Sequence, residues 1–154
     1  MIGCLLTSET IFFYGLFMDP DLLQEQGYNP SQPTIARLDN FQLHIGKRAT
    51  LKPSNSEQVY GTLMRLSNQE LDTLYAQPSV RDYHPVQVTC EIGEDDFVEA
   101  KTYILPAEAP LTPAMNADYA QQLLIICKKM NLPSLYQQKI NEMIHKLDSQ
   151  TQNL

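Results

Sequence analysis

Residues 10–23 read Thr10-Ile11-Phe12-Phe13-Tyr14-Gly15-Leu16-Phe17-Met18-Asp19-Pro20-Asp21-Leu22-Leu23, and the order of residue types in this stretch decides the fold. Thr10 to Tyr14 is a short, nearly continuous apolar run of β-formers, the pattern of a buried strand. Gly15 ends the run with a residue that permits close backbone approach. Asp19 then offers a side-chain acceptor to the first amides of a helix, and Pro20 has the φ that a first helical position requires. Gly27 is a natural stop. The first unit is therefore strand, glycine turn and short capped helix.

The pattern continues outward from this unit. Between Thr34 and Leu51 the apolar residues Phe41, Leu43 and Ile45 alternate with Gln42 and His44, which predicts a half-buried strand. Lys52-Pro53-Ser54-Asn55-Ser56 is expected to break it as an exposed turn. A second strand follows over Gln58 to Leu66. Ser67-Asn68-Gln69-Glu70 is a capping box that predicts a helix to about Tyr75. Val86, Val88 and Cys90 alternate again, Gly93-Glu94-Asp95-Asp96 reads as a hairpin turn, and Phe97 to Leu105 returns as a strand.

The last third changes character. Pro106, Pro110 and Pro113 make a stiff connector. A helix over 117–130 carries Tyr119, Leu123, Ile126, Cys127 and Met130 on one stripe. Asn131-Leu132-Pro133-Ser134 interrupts it, and a second helix carries Tyr136, Ile140, Met143, Ile144 and Leu147. The expected organisation is one domain over 1–147 and a polar, frayed tail over 148–154.

Composition narrows the function classes. The chain has 154 residues, enough for one domain with a substantial core. Its net charge of -7 argues against nucleic acid or an anionic membrane as partner. Cys4, Cys90 and Cys127 stand far apart without a C-x-x-C spacing, so they read as small buried hydrophobes in a reducing compartment. No ligand cluster has metal spacing, and no cofactor of any kind is indicated. The apolar start, residues 1–6, is too short for a signal peptide and lacks a basic residue. No run reaches the roughly 18 apolar residues of a membrane span. The expectation is a soluble, cytoplasmic protein whose partner is a small molecule.

The order of these elements resembles the gamma-glutamylcyclotransferase-like family. The resemblance rests on the strand leading to Tyr14-Gly15 and a helix, the Ala49-Thr50-Leu51 segment ending in Pro53, Val59-x-Gly61, the capped helix, and Tyr83 leading an alternating strand. The C-terminal run Leu124 to Lys139, with its Leu132-Pro133 break and Tyr136, is similar to the paired helices of classical members. The fold it implies is α+β, a small mixed β-barrel-like sheet with flanking helices. The reaction it implies converts a γ-glutamyl amine or amino acid to 5-oxoproline and the free amine.

That chemistry sets the candidate residues. The α-amine attacks its own γ-carbonyl, so the site must hold a near-attack conformer and move a proton from the α-ammonium to the leaving amine. The resemblance assigns substrate binding to the loop Tyr14, Gly15, Leu16 and Phe17, whose backbone amides would cradle an anion. It also assigns Tyr83 to the pocket. The catalytic glutamate of the family falls on Pro78, which cannot carry a proton. Asp82 is the nearest acid, and its simpler reading is a solvated turn residue paired with Arg81. Three readings follow: an enzyme with a relocated acid, a non-catalytic relative that binds a small molecule or peptide end, and an interaction protein whose pocket Leu16 and Phe17 have filled.

Overall fold

The structure, a computed structural model, describes residues 8–46, 48–106 and 117–152, and of residues 147–152 the backbone alone. Cys4, Pro110, Pro113 and the apolar start therefore lie outside the described residues. The elements are β1 (Ser8–Phe13), a 3-10 turn (Leu16–Met18), α1 (Pro20–Glu25), β2 (Thr34–Ile45), β3 (Ala49–Ser67), α2 (Asn68–Leu74), β4 (His84–Ile92), β5 (Asp96–Ile104), α3 (Ala117–Lys129) and α4 (Ser134–Gln152).

The five strands close into a barrel in the order β1-β3-β2-β4-β5. Every pairing is antiparallel except the closing one, where β1 meets β5 in parallel at Ile11 and Lys101. Closure removes the exposed sheet edges that would otherwise recruit other chains. The class is the expected one, α+β with a small mixed barrel and flanking helices. Where β1 crosses β3, Gly61 has no room for a side chain, because a Cβ there would lie 2.1 Å from the Phe13 carbonyl oxygen. Ile11, Phe12, Val59, Met64 and Leu66 are fully buried, and β1 is thus the apolar centre that its sequence predicts.

The caps form as read. Asp19 Oδ1 accepts from the Asp21 amide at 3.0 Å, with Pro20 opening α1. In the capping box, the Glu70 amide donates to Ser67 Oγ at 3.1 Å and the Ser67 amide to Glu70 Oε1 at 3.0 Å. Glu70 does more than its motif requires, since Oε2 also accepts from the Asn29 amide at 2.6 Å. Asn131 takes the left-handed conformation after α3, at φ 60°, and the Leu132 amide returns to the Cys127 carbonyl at 3.0 Å. This is a capped helix end rather than a loose break.

Three expectations are corrected. First, residues 52–56 do not separate two strands but lie inside β3. Phe41 pairs with Pro53 and Asp39 with Gln58, so Asn40 alone, at φ 69°, opposes residues 54–57. The polar run is a wide bulge, and a bulge is where a strand tolerates proline. Second, the chain reverses between Ile45 and Ala49, which pair with each other, as Leu43 does with Leu51. Third, α4 runs to Gln152, so helix takes up most of the segment expected as a frayed tail.

The two C-terminal helices pack on each other, with Leu123, Ile126 and Cys127 of α3 and Tyr136, Ile140 and Ile144 of α4 buried. α3 is also fastened across the segment that follows β1. At its last turn Lys129 Nζ reaches Asp19 Oδ2 and Asp21 Oδ2, both at 2.7 Å. At its first turn the Tyr119 hydroxyl sits against Gly15, 2.5 Å from where a Cβ on that glycine would lie.

Candidate functional site

A cavity of about 850 Å³ opens beside the end of β1. Tyr14, Gly15, Leu16, Phe17 and Tyr83, the five residues that the sequence nominated for binding, all line it, and so does Pro78. Leu16 and Phe17 pack partly against the core and border the cavity without filling it. Asp82 is not among the lining residues. Its Oδ2 pairs with Arg48 at 3.2 Å, and its side chain is 59% exposed, so the expected pairing with Arg81 is replaced by one with Arg48. His84 is exposed and outside the lining as well.

Five tyrosines give the cavity its chemistry: Tyr14, Tyr75, Tyr83, Tyr103 and Tyr119. Tyr75 and Tyr103 stack with centroids 3.7 Å apart and planes within 8°. The Tyr14 hydroxyl donates to the Tyr103 carbonyl at 2.6 Å, and the Tyr83 hydroxyl donates to the Ala49 carbonyl. Both protons are committed to backbone, so these phenols offer a ligand acceptor oxygens rather than donors. Burial raises the pKa of Tyr14, and neighbouring phenols raise it further. Burial pushes Tyr83 up to about 12, against the downward pull of Arg48. All of these phenols stay neutral at physiological pH.

The loop after β1 differs from an open cradle. A Cβ on Gly15 would come within 2.5 Å of the Tyr119 hydroxyl, so glycine is what admits that ring. The Tyr119 phenol therefore takes up space beside the loop that an open cradle would leave for a ligand anion.

Two charged side chains line the cavity, Glu25 from the end of α1 and Arg48 from just before β3. Gln77 Nε2 ties their neighbourhoods by donating to Gln26 Oε1 at 3.0 Å. Arg48 is held over the Tyr83 ring, 5.6 Å from its centroid, and donates to the Ser79 carbonyl at 3.3 Å. The loop from Tyr75 to Tyr83 is a series of turns in which Val80 and Arg81 donate to the Gln77 carbonyl at 3.0 and 2.9 Å. Pro78 occupies the second position of the first turn, where proline's fixed φ is favourable. From this loop Tyr75, Pro78, Ser79, Val80 and Tyr83 face the cavity, and none is a carboxylate.

Sequence reasoning missed Glu25, Arg48, Tyr75, Tyr103 and Tyr119 as site residues. Tyr119 was legible only as part of a helical stripe. The others carry no local signal at all. Among the described residues no cluster of His, Cys, Asp and Glu is arranged to hold a metal, and no helix is long and apolar enough to cross a membrane. Cys90 and Cys127 are buried free thiols whose pKa burial pushes up to about 12.

Comparison with known proteins follows from this geometry. The family model for gamma-glutamyl cyclotransferase, AIG2-like, matches residues 11–121. No curated protein matches the sequence. A solved gamma-glutamyl cyclotransferase is similar with a TM-score of 0.72 and 22% identity, over 88% of this chain and 87% of that one. The uncharacterized protein loc79017 from Homo sapiens is similar at a TM-score of 0.73 and 21% identity, over 87% and 86% of the two chains. A gamma-glutamyl cyclotransferase specific to glutathione from yeast shares 11% identity at a TM-score of 0.59, over 92% and 97%. At these identities the solved structures speak for the fold.

Proposed function

This chain belongs to the gamma-glutamyl cyclotransferase, AIG2-like family, and we propose that its cavity receives the γ-glutamyl group of a small molecule and holds it without turnover. The observation that carries the reading is the composition of the cavity wall. The loop after β1 and Tyr83 border a space of about 850 Å³, while the loop from Tyr75 to Tyr83 contributes Pro78 and no acid. Cyclisation forms a bond from the α-nitrogen to the γ-carbon and breaks the bond from that carbon to the leaving amine. One proton must leave the attacking ammonium and one must reach the departing nitrogen, and a positioned carboxylate does both. Pro78 can do neither, and Asp82 is spent outside the cavity on Arg48.

A test follows from the turn that Pro78 occupies. Its position accepts most residues, so Pro78→Glu is expected to fold. The natural chain is expected to bind γ-glutamyl-L-alanine in calorimetry and release no 5-oxoproline from it, while Pro78→Glu releases the product. Absence of binding by the natural chain contradicts the reading.

One observation favours a second reading. Glu25 is a carboxylate in the cavity wall, exposed at its rim. Were the natural chain to turn over a γ-glutamyl compound, Glu25 is the acid to which the proton transfers fall. The signature is 5-oxoproline release by the natural chain that disappears in Glu25→Gln and persists in Asp82→Asn.

A further inference from the structure

We propose that Arg48 is the anion-recognition group of this cavity, and that it takes the carboxylate of the bound small molecule. The inference rests on the binding reading above and assigns a partner to one group of that ligand. Three observations carry it. The Tyr119 ring stands against Gly15, its hydroxyl 2.5 Å from where a Cβ on that glycine would lie, and so crowds the loop after β1. The tyrosine hydroxyls at Tyr14 and Tyr83 have donated their protons to carbonyls, which leaves lone pairs that repel a carboxylate. Among the described residues that line the cavity, Arg48 is the cation.

Arg48 is also built for the task. A guanidinium carries five N–H donors in a planar fork that matches a carboxylate. Ser79 and Asp82 each take one of them, at 3.3 and 3.2 Å. The pair with Asp82 is open to water, with side chains 35% and 59% exposed, and an exposed pair of this kind holds weakly. The guanidinium carbon lies 5.6 Å from the Tyr83 ring centroid, a cation–π contact that holds Arg48 beside the cavity. A ligand carboxylate therefore meets an oriented cation whose present partner yields readily. The phenol oxygens suit the opposite end of the same ligand, an ammonium or amide N–H, so the chemical class is an α-amino acid head group.

Calorimetry with two probes tests this. The first is γ-glutamyl-L-alanine, and the second is its analogue with the glutamyl α-carboxylate replaced by a carboxamide. Arg48→Ala is expected to weaken the first about 10- to 100-fold, as loss of a charge-assisted bidentate contact does, and to leave the second unchanged. The natural chain is expected to bind the carboxamide as weakly as Arg48→Ala binds the carboxylate. Because Arg48→Ala also uncovers Tyr83, Asp82→Asn is an independent arm. It releases Arg48 from its competing carboxylate and is expected to tighten the first probe by up to about 5-fold. Equal affinity for both probes in the natural chain, or unchanged binding in both variants, overturns the assignment and leaves the binding reading standing. Failure of the natural chain to bind either probe overturns both.

Discussion

The tightest constraints in this protein lie at two glycines that have no side chain to show for it. Gly61 faces a carbonyl of the neighbouring strand, and Gly15 faces the tip of the Tyr119 ring. A backbone carbonyl in a closed barrel has nowhere to move, so Gly61→Ala is expected to be the more damaging change, by more than about 3 kcal/mol. Gly15→Ala meets only the Tyr119 hydroxyl, and the next ring atom is 3.9 Å away, at ordinary contact. It is expected to cost about 1–3 kcal/mol, and Tyr119→Phe in the same chain is expected to recover most of the loss. Urea unfolding of the four chains of that cycle measures it. Additive losses would show that the Tyr119 hydroxyl is not what Gly15 makes room for.

At the scale of elements, α2 depends on the capping box that precedes it and on a contact the motif does not foretell. Ser67→Ala is expected to cost about 1 kcal/mol by removing the acceptor for the Glu70 amide. Glu70 itself makes stability depend on pH. Burial acts to raise its pKa, but the amides of Ser67 and Asn29 and the Ser67 hydroxyl outweigh it and hold the group below its ordinary value of 4.5. A carboxylate depressed in the folded state contributes stability above its unfolded pKa and loses it as pH falls through the folded value. Glu70→Gln is therefore expected to flatten the fall in unfolding midpoint below pH 4.5. An unchanged acid limb in Glu70→Gln would contradict this role. α3 is held at its last turn by Lys129, which ties it to the cap of α1. The carboxylates that claim Lys129 lie 108 and 110 residues earlier, so the sequence around it carries no sign of the tie.

For the whole molecule, what is local in the chain is what a reader of the sequence recovers. The unit around β1, the capping box and the alternation in β4 and β5 each need only a few neighbouring residues to be recognised, and each stands where expected. The bulge at Pro53 misleads because its polar composition is that of a turn, while its strand character comes from pairing with Phe41. Barrel closure through Ile11 and Lys101 has no signature in either segment. The cavity divides in the same way. Tyr14 to Phe17 and Tyr83 follow from the family resemblance, whereas Tyr75, Tyr103, Tyr119, Glu25 and Arg48 meet there only because the barrel and α3 bring them together.

The central claim is that a γ-glutamyl group binds in this cavity in a chain whose loop from Tyr75 to Tyr83 supplies no acid. A titration of the ¹⁵N-labelled natural chain with γ-glutamyl-L-alanine, followed by amide chemical shifts, tests it most directly. The account predicts saturable shifts centred on Gly15, Leu16, Phe17, Ser79, Val80 and Tyr83, with the probe still intact at the end of the titration. Shifts centred elsewhere, an absence of saturable shifts, or steady conversion of the probe to 5-oxoproline during the titration would contradict it.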